Sequence, residues 1–123
     1  YNPLGGGLLT GRHQREQLPT DGRYGSSPLA QMYRSRYWND AVFTAVEALR
    51  TIASDAGMSM VEAALRWALG RPVVDAVLIG GSRISNIRDN LAALSRGPLP
   101  TDLQDRLDSI PTALRGLMPA YNR

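Results

Sequence analysis

From position 42 onward, apolar residues recur every three to four positions, the spacing that places them on one face of an α-helix. Val42, Val46, Leu49 and Ala53 form the first such stripe. Asn39-Asp40 precede it and are good acceptors for the open N–H groups of a first turn. Gly57 supplies a stop, so a helix is predicted from Val42 to Ala56. Ser59 and Glu62 stand three apart, the spacing of a reciprocal N-terminal cap, and open a second helix over Met60 to Leu69. Gly70 and Pro72 end it. A further helix is predicted from about Ser85 to Leu94. Thr101 and Gln104 repeat the cap spacing before a helix through Leu103, Leu107 and Ile110, predicted to stop at Pro111. The last ten residues read as irregular.

Between the second and third helices the pattern changes. Val73-Val74-Asp75-Ala76-Val77-Leu78-Ile79 is short, β-branched and almost wholly apolar, which suits a strand buried on both faces of a parallel sheet. Nothing else in the chain pairs with it. Its sheet partners are therefore expected in further chain or another subunit, and the fold is expected to be incomplete alone. Residues 1 to about 30 show no period and are punctuated by glycine and proline, so they read as loop, with regular structure starting near Asn39-Asp40. A loop this long in a compact domain is functional, disordered or a lid.

Composition narrows the picture. At 123 residues with 43% hydrophobic and 20% charged positions, the chain can bury a core. No apolar run approaches the ~20 residues of a membrane span. The chain has no cysteine, which excludes disulfides, thiolate metal sites and cysteine nucleophiles, and it fits a reducing compartment. All 14 basic residues are arginine and the net charge is +3. They are dispersed rather than gathered on one face, which argues against a nucleic-acid module. Tyr1 is not a methionine and the chain begins abruptly, as though cut from something longer.

Few positions carry chemistry by themselves. Leu78-Ile79-Gly80-Gly81-Ser82 leads from strand to helix, where open N–H groups and a partial positive charge hold phosphate well. The same residues also fit an ordinary glycine turn with Ser82 as a helix cap. Gly5-Gly6-Gly7 lacks both the Walker ending and the spaced glycines of a dinucleotide fingerprint, and taken alone reads as a flexible linker. Arg12, at its end, is a candidate phosphate contact. His13 is the only histidine and reads as a solvated loop residue, with no metal site. Trp38 and Trp67 read as core. The carboxylates form no pair suited to acid–base work, and no catalytic constellation is visible.

Taken together, longer stretches carry a resemblance. Tyr1-Asn2-Pro3-Leu4-Gly5-Gly6-Gly7-Leu8-Leu9-Thr10-Gly11-Arg12 resembles the segment after the seventh barrel strand of aldo-keto reductases. Gly22-Arg23-Tyr24, Tyr33-Arg34-Ser35-Arg36-Tyr37-Trp38, Ala63-Ala64-Leu65-Arg66-Trp67 and Leu78-Ile79-Gly80-Gly81-Ser82 continue it. Asn90-Leu91-Ala92-Ala93, Gly97-Pro98-Leu99 and Pro119-Ala120-Tyr121-Asn122-Arg123 complete it. The aflatoxin-aldehyde (succinic semialdehyde) reductase branch is the most similar, and the likeness spans nearly the whole chain.

The resemblance implies an α/β fold, the C-terminal part of one (β/α)8 barrel domain that takes ~250 residues in full, from the end of strand seven through the terminal helix. It implies a cofactor-binding loop over residues 1–38. Residues 39–123 would then hold an inserted helix, helix seven, strand eight, helix eight, the terminal helix and the tail. It implies NADPH-dependent reduction of aldehydes or ketones by a cytoplasmic protein that binds neither nucleic acid nor membrane, with homodimerisation implied by likeness alone. Tyr1 matches the aromatic that stacks on the nicotinamide. Asn2, Pro3, Leu4 and Gly6 match the loop around the pyrophosphate, with Arg12 and Arg23 as phosphate contacts. Gly80, Gly81 and Ser82 match the 2′-phosphate site, and Asn86, Asp89 and Asn90 the helix positions beside the 2′-phosphate and adenine. Arg34, Arg36 and Arg123 are candidate substrate contacts, or else surface ion pairs.

Two departures bear on this. Gly80-Gly81-Ser82 stands where many members have Pro-Lys-Ser, and Asn86 where they have arginine, so Arg12 and Arg23 must supply the charge; NADP is still favoured over NAD. The family's Asp-Tyr-Lys-His tetrad lies in the first half of the barrel, and no residue here matches it. The isolated chain is thus expected to be inactive. A non-catalytic, channel-β-subunit-like NADPH binder and an inactive truncated remnant are the alternatives.

Overall fold

A computed structural model describes residues 1–114. Five α-helices follow a glycine-rich N-terminal segment: α1 (Ala30–Tyr37), α2 (Asp40–Asp55), α3 (Met60–Leu69), α4 (Ile84–Leu94) and α5 (Thr101–Ala113).

The central helices form where local signals agree. Asn39 is extended and its side chain accepts from the Val42 N–H at 3.0 Å, starting α2. Val42, Phe43, Val46, Leu49 and Ala53 are buried on one face of that helix. At α3 the Ser59 hydroxyl accepts from the Glu62 N–H at 3.0 Å, so half of the predicted reciprocal cap forms. The other half does not, because the Glu62 carboxylate turns away to Arg66 and Arg96. α2 packs against α3 and α5, and α3 against α4. Their shared core joins the α2 face to Met60, Ala63, Ala64, Leu99, Leu103 and Leu107.

Polar ties cross this layer. Glu62, buried on α3, takes Arg66 Nη1 and Arg96 Nη1, each at 2.9 Å. Arg66 also donates to the carbonyls of Gly97 and Pro98, at 2.9 and 3.0 Å, fastening the exit of α4 to α3. On the other side, Trp67 Nε1 and Arg71 Nη1 donate to the two oxygens of Asp108, at 2.6 and 2.9 Å. The Trp67 hydrogen bond foremost, then the Arg71 guanidinium, hold that carboxyl below its ordinary range. Trp67 is thus half-buried with a polar anchor rather than plain core.

Four expectations need correction. The first concerns Val73–Ile79: among the described residues no strand forms, and Val73 and Leu78 are 89% and 67% exposed. A strand's hydrogen bonds come from a neighbour, and here none is alongside. Second, Pro111 does not stop α5, which continues to Ala113. Proline's fixed φ is helical, and it removes one N–H bond without closing the path ahead. Third, the Thr101–Gln104 cap does not form. Gln104 Nε2 donates instead to the Trp67 carbonyl at 3.2 Å, tying α5 to α3.

The fourth concerns the N-terminal segment, which is ordered well before Asn39. Short 3₁₀ turns occupy Gly5–Thr10 and Gly22–Tyr24, and α1 follows. Leu8 and Tyr24 are 2% and 1% exposed and belong to the helical core. α1 escapes a periodicity search because it carries no side-chain cap and buries only Ala30 fully. Aromatic contacts hold it instead, Tyr24 against Tyr33 at 5.8 Å between ring centres and Tyr33 against Tyr37 at 6.0 Å. The tail from residue 115, including Arg123 and the predicted irregular ending, lies outside the described residues.

Candidate functional site

The loop site is built around Asn2. It sits at φ 57°, a left-handed conformation that asparagine tolerates better than most residues. Its Oδ1 accepts from the Gly6 N–H at 2.9 Å and from Arg23 Nη1 at 3.3 Å. Arg23 Nη1 also donates to the Tyr33 hydroxyl at 3.0 Å, and its guanidinium lies 5.6 Å from the Tyr33 ring centre. One asparagine therefore joins the glycine turn to a cation 21 residues away.

The turn needs glycine for two reasons at Gly6. Its φ is +70°, and a side chain there would come within 2.9 Å of the Tyr33 ring and 3.2 Å of the Tyr24 hydroxyl. That hydroxyl donates to the Gly5 carbonyl at 2.6 Å, and burial pushes the Tyr24 phenol's pKa up. The backbone of the turn is largely self-satisfied. Gly5 N–H donates to Asn2 O, and the N–H groups of Gly7 and Leu9 to Leu4 O, at 2.9–3.2 Å. So the turn is neither a flexible linker nor a ring of open N–H donors. Two guanidinium groups stand beside the turn, Arg12 at its end and Arg23 through Asn2. Arg12 lies over Gly7, where an added Cβ would be 3.2 Å from Nη2.

Arg34 is not positioned as a substrate contact. Its Nε donates to the Tyr24 carbonyl and Nη2 to the Gly25 carbonyl, clamping the loop onto α1. Sequence reasoning missed this because the carbonyls it serves are chosen by the loop's path, not by spacing.

The second group of candidate residues lies elsewhere. Gly80, Gly81 and Ser82 are exposed in the irregular connection before α4; Asn86 and Asp89 are exposed on that helix, and Asn90 is buried. Ser82 does not cap α4, because Arg83 occupies that position, in extended backbone and exposed. Arg83 directly follows Ser82, and no spacing or motif in the sequence marks it. The first group is carried by the glycine turn and by the Gly22–Tyr24 turn that packs on α1, the second by α4 and the connection before it, and α3 packs against both the glycine turn and α4. Among the described residues no group of three metal-ligating side chains gathers, and no helix is long and apolar enough to cross a membrane.

The profile of the Aldo/keto reductase family matches residues 1–111. The chain belongs to the aldo/keto reductase family. An aldo-keto reductase of Pseudocercospora fijiensis is 39% identical over 110 residues, covering 84% of this chain and 37% of its own length. Aflatoxin B1 aldehyde reductase member 2 of Rattus norvegicus is 37% identical over 111 residues, covering 80% of this chain and 30% of its own. A probable voltage-gated potassium channel subunit beta of Arabidopsis thaliana is 29% identical over 111 residues, covering 89% and 34%. The chain thus spans about a third of the length of these curated relatives. Both stretches that meet in the Asn2–Gly6–Arg23 arrangement, residues 1–12 and 22–24, lie within the part of the chain that the family profile matches.

Proposed function

We propose that this chain is the cofactor-binding part of an NADPH-dependent reductase that converts small aldehydes or ketones to alcohols. In its full-length form the protein is a (β/α)8 barrel in which Val73–Ile79 pairs as a strand, and residues 1–38 form the cofactor loop. The observation that carries this reading is the pair of guanidinium groups, Arg12 and Arg23, braced at a turn that only glycine can make.

NADP(H) carries a pyrophosphate and a 2′-phosphate, and the residues present suit both. Guanidinium forks match phosphate oxygens bidentately, and they keep their charge at any physiological pH. Asn2, Pro3, Leu4 and Gly6 shape the loop around the pyrophosphate, with Arg12 and Arg23 as its cations. Tyr1, 79% exposed, offers a ring face to the nicotinamide. Gly80, Gly81, Ser82, Asn86 and Asp89 stand at the opening of α4 for the 2′-phosphate and adenine. We add Arg83 there as the cation that replaces the missing lysine. Asn90, being buried, shapes that helix from behind. Bound NADPH would supply the hydride. The acid that protonates the substrate belongs to chain outside these residues, so the isolated segment would be inactive.

The resemblance to a channel β subunit favours a second reading, a regulatory NADPH binder without turnover. A cytoplasmic location and a homodimer belong to the first reading on family grounds alone. The test is fluorescence titration of the full-length protein with NADPH and NADH, followed by nucleotide oxidation with a panel of small aldehydes. Tighter NADPH binding with turnover supports the reductase. Binding without turnover moves the assignment to the regulatory reading, and failure to bind either nucleotide refutes both. Arg12→Ala and Arg23→Ala should each weaken NADPH binding roughly tenfold.

A further inference from the structure

The sole histidine has a place in this site that nothing above assigns. His13 is half-buried, with its ring set edge-on to Tyr24 at 5.2 Å between centres and to Trp38 at 5.7 Å. Both neighbours are themselves fixed. Tyr24 donates to the Gly5 carbonyl at 2.6 Å, and Trp38 Nε1 to the Arg15 carbonyl at 3.0 Å. On the open side, Arg12 Nε donates to His13 Nε2 at 3.2 Å. The acceptor nitrogen must carry a lone pair, so the ring is neutral with its proton on Nδ1.

We propose that His13 is a positioning residue for Arg12, its Nε2 holding the guanidinium over Gly7 where a phosphate is to be met. The inference rests on the cofactor reading and deepens it. Gly7 leaves the space that Arg12 occupies, and His13 accepts a directional bond from that side chain. Without the acceptor, a long exposed side chain samples many rotamers and spends less time facing the loop.

The arrangement depends on protonation. An added proton turns Nε2 into a donor, and arginine has no acceptor to offer, so the bond is lost and two cations face each other. Burial first, and then Arg12, hold the His13 pKa below the ordinary histidine value. Neutral solution thus favours the latched form. The other charged groups facing His13 are Arg15 and Glu16 on its own segment, and Asp40, Glu47 and Arg50 on α2 across an open cleft of about 410 Å³. Asp40 is paired with Arg15 at 2.6 Å and Glu47 with Arg50 at 3.1 Å, so both carboxylates are already engaged.

The test is binding of NADP⁺, which survives acid, to the full-length protein between pH 8 and 5, read by tryptophan fluorescence. The nucleotide's own phosphate titrates near pH ~6, so His13→Gln, an acceptor that takes no proton, is the reference. Relative to that variant, the wild type should lose about threefold in affinity on acidification, the worth of one modest hydrogen bond. His13→Phe keeps the aromatic contacts without the acceptor. It should bind about threefold more weakly at pH 8 with an unchanged melting temperature, and add nothing in an Arg12→Ala background. Superimposable wild-type and His13→Gln profiles, or a relative gain on acidification, overturn the proposal. Arg12→Ala binding as tightly as wild type removes the cofactor reading of Arg12 itself. A weakened Arg12→Ala beside an unaffected His13→Phe removes only the role of His13.

Discussion

Gly6→Ala tests the loop most directly, because its cost divides into two parts that a second glycine separates. Gly6 and Gly57 have nearly the same backbone, φ +70° and +64°. Alanine at either position carries the left-handed penalty, ~1 kcal/mol. At Gly57 the added methyl meets nothing within 4 Å, so the penalty is the whole effect. At Gly6 the methyl falls 2.9 Å from two carbons of the Tyr33 ring. That ring cannot easily retreat: its hydroxyl takes Arg23 at 3.0 Å, Tyr24 packs edge-on against it and Tyr37 lies tilted beside it. Overpacking of this kind adds ~2 kcal/mol. We therefore expect Gly57→Ala to cost about 1 kcal/mol and Gly6→Ala about 3 kcal/mol. The assay is the urea midpoint of the full-length protein, compared at equal slope. Nucleotide titration should show Gly6→Ala alone weakening binding, because displacing Tyr33 displaces Arg23. Equal destabilisation by the two variants would refute the reasoning, since it would mean the turn does not lie against Tyr33.

Other expectations follow from the same contacts. Asn2→Ala should cost about 2 kcal/mol in urea unfolding, because the buried Gly6 N–H loses its acceptor and alanine must adopt φ 57°. It should also loosen Arg23 and weaken NADPH binding. Glu62→Ala should cost about 3 kcal/mol by the same assay, because the largely enclosed Arg66 guanidinium on α3 then loses its carboxylate. Asp108 predicts an acid effect. Its folded pKa lies below the unfolded value of about 3.9, so its contribution is complete above that value and is lost as pH falls towards the folded one. Urea midpoints measured from pH 6 to 3 should therefore fall more steeply for wild type than for Asp108→Asn; parallel curves would show that the Trp67 and Arg71 bonds do not perturb the carboxyl.

Much of the helical layer was legible locally. The stripe from Val42 to Ala53, the Asn39 cap and the Ser59 cap each involve partners within four residues, so periodicity and residue type suffice to find them. α1 was not legible, because the Tyr24 ring and the Arg34 bonds to the Tyr24 and Gly25 carbonyls hold it rather than an amphipathic stripe or a cap. Of the candidate site residues, the sequence singled out Asn2, Gly6, Arg12 and Arg23 through family likeness. It carried no sign of why Gly6 cannot change or what steadies Arg23, since both answers lie with Tyr33 on α1.

By itself, then, the sequence determined the family, the four helices α2 to α5 and the residues of the loop, because these depend on short-range pattern or on the order of motifs. Tertiary structure decided the rest. It buried Leu8 and Tyr24 beneath a segment that reads as loop. It sent Gln104 to the Trp67 carbonyl instead of a cap, and drew Arg34 to carbonyls ten and nine residues away. It also left Val73–Ile79 without a strand's hydrogen bonds. A helix closes its bonds within four residues and can be read along the chain. A strand, a buried ion pair or a boxed histidine is completed by groups far away in sequence, and only the folded path brings those groups within reach.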